Sequence, residues 1–176
     1  MSWRRRSLAR AALAWALALT LTGCGGGGGF RPLYGTTANG SDMREAMAAV
    51  KIEPIPGRVG QKVRNELIFA HTGGSEAPPS RFRLDIAIKE SVANQLVLRT
   101  GDATGQVYQL NASFKLVNVA NGKIIMQGNA ISRAPYDRYE QIFANVRARY
   151  DAENRAARTI AENIKTQIAA FLANAA

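Results

Sequence analysis

One cysteine and one histidine are all that this 176-residue chain offers to soft-metal and nucleophile chemistry. The lone thiol, Cys24, has no partner for an internal disulfide, and no Cys/His cluster exists to hold zinc. No Gly-rich loop follows a strand signal to cradle phosphate, and no nucleophile elbow is present. His71 falls in a stretch, residues 71–80, whose Gly, Pro and Ser content reads as a loop. Acids are scarce too, 13 against 23 Lys and Arg, for a net charge of +10. The closest carboxylate couple, Asp151 and Glu153, sits on a charged helix flank beside Arg149 and Arg155 and reads as surface ion pairs. Beyond the N-terminus no apolar run approaches the roughly 20 residues that cross a bilayer. These shortages argue against an enzyme and call for no cofactor.

The N-terminus is rich in what the rest lacks. Arg4, Arg5, Arg6 and Arg10 precede an apolar stretch from Ala11 to Thr22, which has the length of a signal-peptide h-region. It ends in Leu21-Thr22-Gly23-Cys24, which resembles the bacterial lipobox, where the thiol receives a diacylglyceryl group and the chain is cut before the cysteine. Five glycines, Gly25 to Gly29, follow as a flexible tether. Each acyl methylene buried in lipid contributes about 0.8 kcal/mol, so a multiply acylated Cys24 is a lasting anchor. The expected organisation is a signal peptide over residues 1–23, a lipidated tether over 24–29, and one domain over 30–176. Gly25, where an Asp favours inner-membrane retention in enterobacteria, fits the periplasmic side of the outer membrane.

Loss of residues 1–23 removes four of the 23 basic residues and no acid, leaving 19 against 13, or +6. About 145 residues past the tether suffice for one compact core. The positive balance suits a polyanion, and a membrane anchor excludes nucleic acid in favour of acidic or phosphorylated lipid.

Asp42 can cap a short helix toward Ala49, and Val50 to Ile55 reads as a strand stopped by Pro54 and Pro56. Val59, Val63 and Leu67 mark an amphipathic helix over 58–70. Phe82, Leu84, Ile86 and Ile88 then alternate with Arg81, Arg83, Asp85 and Lys89. Leu96 to Arg99 continues or pairs with that strand. Tyr108, Leu110, Ala112, Phe114 and Leu116 share one face of the next, opposite Gln109, Asn111, Ser113 and Lys115. Asn121-Gly122 signals a hairpin into a strand over 123–133, with Gln127, Asn129 and Arg133 polar. A long helix is expected from Arg138 to Leu172, bending near Tyr150. Its stripes Tyr139, Ile142, Phe143, Val146 and Tyr150, then Ile160, Ile164 and Ile168, read as core. The fold class is α+β: a two-layer sandwich of a mostly antiparallel sheet of about four strands with two helices on one face. Its other face is left polar and basic. Arg81, Arg83, Lys89, Lys115 and Lys123 either solvate that face or meet a phosphate-bearing ligand.

The segments Phe30-Arg-Pro-Leu-Tyr-Gly35, Arg58-Val-Gly-Gln-Lys-Val-Arg-Asn-Glu-Leu67 and Asp151-Ala-Glu-Asn-Arg-Ala-Ala157, in order behind the lipobox, resemble the LptE family of lipopolysaccharide-assembly lipoproteins in its alphaproteobacterial form. The glycine run departs from that family, which passes from Cys-Gly straight to the aromatic. The resemblance implies a plug for the LptD outer-membrane β-barrel that also binds lipopolysaccharide. A family contact of the form Arg-x-Gly before a Tyr falls on Arg99, Gly101 and Tyr108. A second, before the last helix, has Arg138 and Arg147 as candidates. Two other lipoprotein roles share the anchor and size: an auxiliary protein of an ABC-type lipid transporter and a structural member of the barrel-assembly machinery.

Overall fold

The computed structural model of the chain describes residues 43–74, 78–97, 103–138 and 141–175. Cys24, the glycine tether, Asp42, Arg99 and Tyr139 lie outside the described residues. Helix α1 (Met43–Ala48) buries Met43 and Met47 and leads into β1 (Val50–Ile52), where Val50 and Ile52 point inward and Lys51 outward. Pro54 and Pro56 end the strand, since proline donates nothing to a ladder. Helix α2 (Gly57–Thr72) follows, with Val59, Val63, Leu67 and His71 buried at steps of four. Gly73, at φ 62°, closes it by donating its N–H to the Phe69 carbonyl, 2.9 Å away.

The sheet order is β1-β2-β3-β4. Strand β2 (Phe82–Val97) lies parallel to β1, with α2 as the crossover, and antiparallel to β3 (Ala103–Asn118). The stretch through Leu96 thus continues the first long strand. At the Asn121-Gly122 turn Gly122 has φ 68° and donates to the Asn118 carbonyl. Strand β4 (Ile124–Asp137) runs four residues further than expected and includes Pro135, which an edge strand tolerates. Helix α3 (Ile142–Ala175) is 34 residues long and antiparallel to β4, with Gln167 donating to the Asn129 carbonyl and Arg155 to that of Pro135.

The fold is therefore α+β as expected, with three helices among the described residues beside a mixed four-stranded sheet. Its core joins Leu84, Tyr108, Leu110, Phe114 and Leu116 of the sheet to Ile160, Ile164 and Ile168 of α3 and to Val63 and Leu67 of α2. Ala152, Ala156, Ala157, Ala161 and Ala169, all buried, let α3 approach closely.

Two expectations are corrected. His71 is in the last turn of α2 and only 2% exposed, because the helix outruns its hydrophobic repeat by one turn. The early stripe of α3 is not core: Ile142 and Phe143 are 78% and 87% exposed, and Val146 and Tyr150 are also open. Helix α2 reaches α3 at Tyr150, Glu153 and Asn154 through Arg58, and among the described residues no buried side chain of α3 precedes Ala152.

Candidate functional site

Period-two alternation sends one residue in two of each long strand to the face away from the helices. Register then sets them in rows across β2, β3 and β4: Asp85, Lys115 and Gln127; Ala87, Ser113 and Asn129; Lys89, Asn111 and Ile131. The middle row carries short side chains, so a shallow trough runs over it between its taller neighbours. Lys115 stands on one side of the trough and Lys89 on the other. Neither lysine has an ion pair among the described residues.

The other sequence-derived cations do not join them. Arg83 spends its guanidinium on Asp85 through bonds of 3.1 and 3.3 Å. Arg81 precedes β2, with its guanidinium 5.8 Å from the Phe82 ring centre. Lys123 belongs to the β3–β4 turn, at the same end of the sheet, where its carbonyl accepts from Asn118. Arg133, which the sequence marks only as a polar position of its strand, is a further outward cation and lies opposite Gln109. Its place in the Gln127, Asn129 alternation was the available signal.

Beside the Asp85 carboxylate, which Arg83 holds, the trough offers two ammonium groups without an ion pair, three side-chain amides and a hydroxyl, on a face that no element among the described residues covers. Such groups neutralise and hydrogen-bond an anion with several oxygens. They supply no general base and no nucleophile.

A second polar cluster occupies the opposite face, at the sheet end beneath the first turns of α3. Tyr108 donates to Glu90 at 2.7 Å, Tyr136 donates to Gln106 at 2.7 Å, and Gln106 donates to Asn94 at 2.9 Å. Burial, followed by the Glu90 carboxylate, pushes the Tyr108 phenol well above its usual range. Arg149 donates to Glu153 at 2.9 Å, and Arg58 reaches the same carboxylate while stacking 4.5 Å from the Tyr150 ring centre. Glu153 is only 4% exposed, so the surface ion pair read from the sequence holds for exposed Asp151 with Arg155 but not for Glu153. Arg138 lines the adjoining slot with Arg149, Val146, Val92, Asn94, Gln106 and Tyr136. Arg147 is exposed on α3 and does not line it.

No family model and no curated protein matches the sequence. Solved structures do match its fold. A protein of Caulobacter crescentus CB15, described provisionally as a lipoprotein, superposes with a TM-score of 0.62 at 19% identity over 74% of this chain and 96% of that one. Rare lipoprotein B from Shewanella oneidensis gives 0.53 at 12% identity over 69% of this chain and 93% of that one. The chain thus shares its architecture with bacterial proteins described as lipoproteins.

Proposed function

We propose that the chain is an LptE-like lipoprotein, held by acyl chains on Cys24 at the periplasmic side of the outer membrane. In this reading it assembles with and plugs an LptD-type β-barrel and binds lipopolysaccharide during its transport to the surface. The observation that carries the ligand part is the open trough with Lys89 and Lys115, neither in an ion pair among the described residues, on either side of a small-residue row. Lipid A presents phosphates with several oxygens each, which ammonium and amide donors match. A mostly polar sheet face also suits a water-filled barrel lumen. The lipobox and the shared fold support the anchor and the class.

Two measurements test the reading. Gentle detergent purification of the full chain should bring down a large outer-membrane β-barrel at one-to-one ratio. Recovery of a permease with its ATPase, or of barrel-assembly components alone, would replace the reading with one of the two other lipoprotein roles. Lipopolysaccharide binding should weaken about tenfold in each of Lys89→Glu and Lys115→Glu, and more in the double variant, the scale of a lost charge-assisted contact. Equal affinity in all three would remove the trough from the binding site.

A further inference from the structure

The core-facing stripe of α3 does not end where its packing ends. Ile160 and Ile164 are fully buried, yet Ile142, Val146 and Tyr150, which continue that stripe at steps of four, are exposed. Val146, in the middle of this run, borders a slot whose far wall is Val92, Asn94, Gln106 and Tyr136. Arg138 and Arg149 line the slot and no acid among the described residues does; Glu153 engages Arg149 from outside the slot, which leaves Arg138 as the cation facing it.

We propose that this slot docks a segment of a partner protein that carries a large apolar side chain with a carboxylate close by. The apolar anchor would cover Val146 and Val92, and the carboxylate would pair with Arg138. Chemistry of the far wall selects a peptide over an acyl chain. Tyr136, Gln106 and Asn94 bond one another in a chain, and hydrocarbon laid across it would strip water from the amide hydrogens left over and return no hydrogen bond, whereas a peptide backbone returns them. A second copy meeting this one slot to slot fits poorly, because that contact sets the arginines of one slot against those of the other. A flat bilayer surface cannot enter a recess between a helix and a sheet. The proposal is separate from the anion trough on the opposite face and does not depend on which protein the partner is.

The test places a photo-reactive amino acid at Phe143 of the full chain in its native envelope, with a control at Ser113 in the trough. Phe143 is too exposed for the replacement to disturb the fold. Sequencing of the cross-linked peptide should show an Asp or Glu within a few residues of a large apolar side chain. Cross-link yield should fall about tenfold in Arg138→Glu, the loss of one charge-assisted pair, while thermal unfolding stays unchanged. Cross-links to lipid alone, to a second copy alone or to peptides without acids would overturn the proposal. So would a yield that ignores Arg138→Glu, or no cross-link at Phe143 at all.

Discussion

At the residue scale, the segment that most strongly suggests a family turns out to build the fold. Gly60 is pressed against Ile55: a Cβ there would lie 2.7 Å from a side-chain methyl and 2.9 Å from the Ile55 carbonyl oxygen. Arg64 donates to the Ile52 carbonyl at 3.2 Å, tying α2 to the end of β1, and Leu67 is fully buried. Spacing alone revealed Leu67, but the roles of Gly60 and Arg64 needed the βαβ geometry. Gly60→Ala should cost about 2 kcal/mol, since backbone must move to admit the methyl. Denaturant unfolding would show it as a lower midpoint at unchanged slope, and an unchanged midpoint would mean that the contact relaxes freely. His71 makes a second residue-scale case. Its Nδ1 lies 2.7 Å from the Leu67 carbonyl, so that nitrogen carries the proton, and Nε2 is buried without a partner among the described residues. Burial, reinforced by Lys165, holds the ring pKa below its ordinary 6.5. The unfolded chain therefore takes up a proton below about pH 6.5 that the folded chain refuses. Stability should be full above pH 6.5 and decline as pH falls from there toward the folded pKa. Unfolding at pH 7.5 and 5.5 would show that loss, and His71→Leu should flatten it. Equal slopes in both proteins would assign the loss elsewhere.

At the scale of elements, alternation made β2, β3 and β4 legible and periodicity made the two long helices legible, because each has one face that must leave water. The sequence does not state where along α3 that face is used. A stripe at helical spacing records an apolar side, and the same spacing describes a packed side and an overhanging one. Helix α3 carries both, so the two halves should respond differently to truncation. Ile160→Ala should cost 2 kcal/mol or more, the usual price of a cavity in a dense interior. Phe143→Ala should change stability by less than about 0.5 kcal/mol, as expected for an exposed site. Matched unfolding curves decide between these, and a large loss at Phe143 would place that ring in the core after all. The β4 edge shows another device that periodicity cannot announce. Its outward carbonyls at Asn129 and Pro135 are taken by Gln167 and Arg155 of α3, and Pro135 offers no N–H. A long exposed edge is thereby blunted against strand addition.

For the whole molecule, the consequence is a division of labour along one axis and across one sheet. Among the described residues, helices cover one face, and the other stays open with its lysines and amides. Along α3 the core is dense from Ala152 to Leu172 and absent before Tyr150. A helix held by packing at one end and by its own hydrogen bonds at the other opens locally at the free end, because isolated turns are marginal in water. Amide exchange of the whole chain should therefore be graded along a single helix. Amides at residues 146–150 should exchange on the order of a hundredfold faster than those at 160–168, a difference of about 2.7 kcal/mol in opening free energy. Uniform protection would mean that the overhang is supported by contacts other than the core described. If a partner segment fills the slot, the slow region should extend toward the N-terminus of α3 in the complex and nowhere else along that helix. A complex that leaves residues 146–150 fast would instead place the partner's contact on another surface.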